Sequence, residues 1–126
     1  MAVNKRHHEF HTLDMRTGWE VPPGYPEGIQ QKIISGALDE KNRTGTRTRL
    51  LRFEAGALTT KPFSHDYWEE VYLMSGDLTV GNDENGDGGV SFPPDTYACR
   101  PPHAQHGPFR SEHGCLLLEI HYFDPA

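Results

Sequence analysis

Cysteine is scarce in this 126-residue chain: Cys99 and Cys115 are the only two. That excludes a disulfide framework, and neither a CxxC pair nor a Cys/His zinc spacing is present. Reduced thiols in a cytoplasmic setting are the expectation. Long apolar runs are missing as well. None approaches the ~18 residues that a membrane span needs, and the opening "MAVNKRHHEFHTLDM" lacks the apolar segment of a secretory signal. Positive charge is in deficit, with 12 Lys and Arg against 18 Asp and Glu and a net charge of −6. Nucleic acid, whose phosphates call for a basic face, is therefore not an expected partner, and neither is a membrane. The one basic run, "KNRTGTRTR" at residues 41 to 49, alternates charge with Thr and Gly and reads as a turn entering a strand. No long helical period occurs. The segment "PEGIQQKIIS" fits a short helix or a strand, and "QQKIIS" is read as strand.

What the chain does have is turns and short β-rich runs. Ten prolines and thirteen glycines punctuate "TRTRLLRFEAG", "WEEVYLMSG", "DLTVGN", "VSFPPDTYACR" and "GCLLLEIHYF". This spacing predicts an all-β sandwich or barrel in a single domain. Residues 1–15, polar and rich in histidine, are expected to form a flexible arm, and residues 16–126 the domain. The loop "NDENGDGG" (residues 82 to 89) matches the start of a calcium-binding EF-hand loop at Asp83, Asn85, Asp87 and Gly88. Pro94 stands where the closing glutamate belongs, and the flanking runs are β-like, so a hairpin loop is the reading.

The stretch "PFSHDYWEEVYLMSG" (residues 62 to 76) carries the chemistry. In a regular strand alternate residues share a face. Phe63, His65, Tyr67, Glu69, Val71 and Leu73 then have one parity, and Glu70, Tyr72 and Met74 the other. An imidazole and a carboxylate converging in an apolar interior supply two ligands of a facial metal site, which a second histidine completes. "CRPPHAQHGPF" (residues 99 to 109) offers His103 and His106, with another strand starting near "GPF".

These residues resemble the two motifs of the cupins, small β-barrels: G-x5-H-x-H-x3,4-E-x6-G and G-x5-P-x-G-x2-H-x3-N. Gly56, His65, Glu69 and Gly76 fall on the first, with His65-x3-Glu69-x6-Gly76 in register. Pro101 and His106 fall on the second. The resemblance covers roughly residues 45 to 123, and "GWEVPPGYPEGIQQKIISG" is similar to the N-terminal strands of anti-sigma-factor-type and acetylacetone-cleaving cupins. The chain departs from the motifs at Phe63, which replaces the first histidine, and at Asp95, His103 and Arg110, which replace two glycines and the closing asparagine. The resemblance implies a single jelly-roll β-barrel holding one divalent transition metal on His65, Glu69 and His106. Fe(II) comes first, with Mn, Ni or Zn not separable from it by ligand type. His103 is either an extra ligand or a surface turn residue, and Glu70 is the alternative carboxylate.

The implied function is a metal-dependent enzyme, a non-haem Fe(II) dioxygenase that oxidises or cleaves a small β-dicarbonyl or enolisable substrate. A metal-free isomerase, dehydratase or lyase using His65 or His106 as acid-base residue is the alternative, and a non-catalytic sensor the third. Pocket candidates are Phe63, Tyr67, Arg52, Tyr97, Cys99, Arg100, Phe109 and His121. Arg52 and Arg100 are candidates to anchor a carboxylate or enolate, although solvent exposure is the ordinary reading for them and for Glu119. Tyr67, Trp68, Tyr72 and Phe109 would serve as aromatic walls or core. His7, His8 and His11 are read as solvated. By resemblance, a homodimer paired at sheet edges is expected.

Overall fold

The computed structural model describes residues 4–124, and among them there is no helix. Eight strands form: β1 (Ile29–Gly36), β2 (Thr46–Phe53), β3 (Trp68–Gly76), β4 (Leu78–Val80), β5 (Val90–Phe92), β6 (Tyr97–Arg100), β7 (Phe109–Arg110) and β8 (Cys115–Tyr122). They build two antiparallel sheets, ordered β1-β2-β8-β3-β6 and β5-β4-β7. The "QQKIIS" segment is strand, within β1. The sheets face each other as a jelly roll without closing into one hydrogen-bonded barrel. Pro93 and Pro94, which lack N–H donors, lie between β5 and β6 and keep that corner from zipping into a ladder.

Alternation sets what faces inward. On β8, Cys115, Leu117, Glu119 and His121 are buried and their neighbours half-buried. On β3 the buried set is Glu69, Val71 and Leu73, while Tyr72 and Met74 are exposed. The parity read from the sequence therefore holds through Leu73, where a bulge shifts the register. Ile29, Leu51, Phe53, Leu73, Leu78, Phe109 and Leu117 fill one end of the interior.

The other end is polar. The ladders place Arg47 opposite His121, His121 opposite Glu69, and Glu69 opposite Arg100, so four polar side chains form one row across β2, β8, β3 and β6. The next row holds Arg49, Glu119 and Val71, and the one beyond it Leu51, Leu117 and Leu73. The transition from charged to apolar thus takes two rows.

Two backbone details tie the motif residues to this frame. Gly76 has a φ of +84°, and a Cβ there would lie 2.0 Å from the Gly114 carbonyl, so only glycine fits. Asp95 and His103 also have positive φ, 68° and 70°. They stand at the two positions where the cupin motif has glycine, so the backbone keeps the glycine conformation without the residue. Asp95 is supported by the Tyr72 hydroxyl, which donates to its carboxylate.

Loop 82–89 is a β4–β5 hairpin connection. The Asp83 carboxylate accepts from the amides of Asn85 and Asp87, both at 2.9 Å. Residues 4–15 carry no strand. Asn4 donates to the Ala37 carbonyl at 2.6 Å, and Lys5 to Thr48 Oγ1 at 2.8 Å.

Candidate metal centre

Two segments outside the long strands bring the histidines together. Phe63 and His106 form an antiparallel bridge (N to O 2.7 and 2.9 Å), and the His103 amide donates to the His65 carbonyl at 2.6 Å. The His65 and His106 rings then lie 5.0 Å apart between centroids. His65 Nε2 is 3.8 Å from Glu69 Oε2, and His106 Nδ1 is 3.9 Å from Glu69 Oε1. All three donor atoms fall within 4.8 Å of one another. Both ring nitrogens are buried and have no hydrogen-bond partner. Buried polar atoms are nearly always paired, so two orphaned nitrogens converging on a carboxylate fit a cation in the space between them. His65, Glu69 and His106 could hold it.

Glu69 is held from both sides. Arg100 Nη1 donates to Oε1 at 2.8 Å, and His121 Nε2 lies 2.9 Å from Oε2. Arg47 Nε and Nη2 approach His121 Nδ1 at 3.0 and 2.8 Å. Arginine can only donate, so His121 Nδ1 accepts and its proton sits on Nε2, pointing at Glu69. Deeper in, Arg49 Nε donates to Glu119 Oε1 at 2.8 Å and Arg49 Nη1 to Gln31 Oε1 at 2.8 Å. Burial pushes the Glu119 carboxyl up, but Arg49 outweighs it and holds Glu119 well below the usual range. An inner cavity of about 20 Å³, lined by Tyr25, Glu69, Arg100, His106, Phe109 and Glu119 among others, adjoins the centre. It is large enough for one water.

Several sequence expectations change here. Glu119 is not solvent-exposed but 4 % accessible, because Arg49 faces it in register and neutralises it. Arg52 lies on the outer face of β2, stacked 3.9 Å over Trp19 and bonded to Gln30. Tyr97 and Cys99 point outward from β6, Tyr97 bonded to Glu70, because Ala98 and Arg100 take the inward parity. Trp68 and Tyr72 are on the outer face too and form no wall. Tyr67 is buried and stacks on His65 at 4.6 Å, and Phe109 lines the cavity. Phe63 stacks on Tyr25 at 4.8 Å beside the centre. Glu70 faces away, to Tyr97 and Tyr122. Arg47, Arg49 and Tyr25 belong to the site without being marked by any motif of the sequence. Strand parity in "TRTRLLRF" would have put Arg47 and Arg49 with Leu51 and Phe53.

His103 is exposed, and its amide rather than its ring faces the centre. Relieving its left-handed backbone should help the fold: His103→Gly is expected to gain about 1 kcal/mol, read as a raised melting temperature. Metal content should be unchanged, and a loss of metal would make His103 a ligand.

Burial pushes the His106 imidazole down to about 4, with Glu69 opposing and Arg100 and His65 adding to the shift. Burial lowers His65 as well. In the unfolded chain both titrate near 6.5. Between those values the unfolded chain binds protons that the folded one refuses. The stability of chelator-stripped protein should therefore fall as pH drops from about 6.5 to about 4. His106→Phe should flatten part of that decline in a melting series, and an equal slope in the variant would contradict the assignment.

Two facing antiparallel sheets with a histidine–carboxylate cluster inside define a cupin. The chain matches the family described as the ChrR cupin-like domain over residues 18–122, and it belongs to that family. Curated proteins give no match. Among solved structures it is similar to an RmlC-like cupin from Shewanella frigidimarina, at 17 % identity and a TM-score of 0.66, covering 96 % of this chain and 95 % of that one. It is also similar to an acetylacetone dioxygenase from Acinetobacter johnsonii (18 % identity, TM-score 0.62, 97 % and 79 % covered). A third is a sugar phosphate isomerase from Silicibacter pomeroyi (17 % identity, TM-score 0.62, 91 % and 77 % covered). At these identities the likeness is one of fold.

Proposed function

We propose that this protein is a metal-dependent enzyme acting on a small enolisable molecule, with oxygen-dependent oxidation or C–C cleavage as the reaction class. The observation that carries the reading is the pair of buried, unpartnered nitrogens, His65 Nε2 and His106 Nδ1, turned toward Glu69. Those three residues would hold a divalent transition metal, Fe(II) before Mn, Ni or Zn. Such an ion supplies Lewis-acid polarisation of a substrate oxygen and open positions for dioxygen.

The chain's own residues do the rest. Tyr67 fixes the plane of His65, and His121 and Arg100 aim the Glu69 carboxylate. Leu51, Val71, Phe109 and Leu117 give the cavity apolar walls. The Arg100 donors not engaged by Glu69 can hydrogen-bond an enolate oxygen more strongly than its neutral ketone.

One observation favours a second reading, a metal-free isomerase, dehydratase or lyase. Both Glu69 oxygens already accept from Arg100 and His121, which leaves His65 and His106 as neutral bases.

Elemental analysis of untagged protein purified without chelator, wild type beside His106→Ala, separates the two. About one transition metal per chain, lost in the variant, followed by oxygen uptake with a 1,3-diketone panel, is the expected result. Absence of metal after anaerobic Fe(II) loading would overturn the first reading in favour of the second.

A further inference from the structure

We propose that the cleft between β5 and β6 receives the apolar body of a small organic anion whose charged head sits on Arg100. The placement of the reaction rests on the function proposed above; the binding itself does not.

The two sheets are unzipped at this corner, and the gap is a cleft of about 200 Å³. Leu73, Leu78, Val80, Phe92 and Leu117 are among its walls, and Ala98, the small inward residue of β6, leaves the space open. Val71, Leu78, Arg100 and Leu117 line both this cleft and the inner cavity at the metal centre, so the two lie on either side of a shared set of side chains. Among the residues that line the cleft Arg100 is the one that carries a charge, and the Tyr97 phenol is turned away to Glu70. The Arg100 guanidinium spends Nη1 on Glu69 and lies 5.7 Å over the Phe109 ring. Five donors in a planar fork leave others for a second carboxylate or an enolate oxygen.

Size and charge together set the ligand class. An apolar cavity of ~150 Å³ takes a benzene, so this cleft takes a branched aliphatic or a single ring. A nucleotide or a disaccharide is too large and too polar for it. Arg100, the one charged residue lining the cleft, is paired with Glu69 through Nη1 alone, and its remaining donors suit a single carboxylate or enolate head, which orients the ligand with that head toward the Arg100–Glu69 pair. The substrate class is then a hydrophobic 2-oxo or 3-oxo acid, or the enolate of a diketone of similar size.

Calorimetric titration of the full chain with acetate, hexanoate and 1-hexanol tests this. Each buried methylene adds a factor of about four, so hexanoate should bind at least about tenfold tighter than acetate. It should also exceed 1-hexanol by about tenfold, the worth of a charge-assisted pair. Arg100→Met should erase the preference for hexanoate over 1-hexanol. Ala98→Phe, which does not touch Glu69, should erase the chain-length preference while keeping acetate binding, and remains decisive should Arg100→Met misfold. Equal affinities for acetate and hexanoate in the wild type, or an unchanged series in Ala98→Phe, would overturn the proposal. Metal content is measured on the same samples. A metal-bearing protein without the hexanoate preference loses this inference alone, and a metal-free protein with it loses the metalloenzyme reading alone.

Discussion

The Arg49→Met variant should be less stable than wild type by about 3–5 kcal/mol, read as a lowered urea midpoint. Arg49 and Glu119 sit opposite each other in the β2–β8 ladder, 3 % and 4 % accessible, with Arg49 Nη2 2.7 Å from Glu119 Oε1. Burial alone would lower the Arg49 pKa and raise that of Glu119, and the partner reverses the sign in each case. Removing the guanidinium leaves a carboxylate in the interior with no full charge opposing it, and Gln31 Oε1 loses its donor as well. The loss is therefore one of desolvation rather than of the attraction itself. A double variant, Arg49→Met with Glu119→Leu, removes both charges and should recover most of the deficit. A double variant as unstable as the sum of the singles would show that the two groups are not coupled.

The second large effect concerns Glu69. Glu69→Gln keeps the side-chain shape but removes the charge and turns one acceptor into a donor aimed at Arg100 or His121. Metal affinity should fall by more than about 100-fold, beyond the 10–100-fold typical of residues that only orient a ligand. Competition against a chromophoric chelator reads this directly. His121→Phe should fall inside that lower range, because it removes the proton that aims Glu69 but leaves the three donors in place. Equal losses in the two variants would make His121 a ligand rather than a support. Both proteins should remain folded by far-UV circular dichroism, since the β-ladders do not depend on these side chains.

Much of the fold was legible because alternation and turn chemistry are local. "WEEVYLMSG" declared its faces through Glu69, Val71 and Leu73, and the glycine-rich 82–89 loop declared a hairpin against its EF-hand likeness. The His65, Glu69 and His106 convergence followed from motif spacing. What stayed hidden depends on register between strands distant in sequence. Glu119 looks like a surface charge until β2 is laid beside β8 and Arg49 lands opposite. Tyr97 and Arg52 looked plausible for a pocket because side-chain chemistry was legible while inward parity was not. On β6, Ala98 and Arg100 take the interior, and the aromatic residue goes out to meet Glu70. The polar row from Arg47 to Arg100 spans four strands, and no single segment of the sequence carries it.

Under the metalloenzyme reading proposed above, the bridge between Phe63 and His106 bears on how this protein would respond to metal supply. His65 and Glu69 lie four positions apart and travel together even in a denatured chain, whereas His106 joins them only when that bridge closes. A denatured chain offers a two-donor fragment, and the native one a third donor, so a cation bound at the centre prefers the native form and acts as a latch across the bridge. By mass action each tenfold rise in free metal above its dissociation constant then adds about 1.4 kcal/mol to the folding equilibrium. Starved of metal, the chain would lose part of its protection against unfolding and proteolysis, so scarcity would be felt as faster turnover of the protein as well as an idle site.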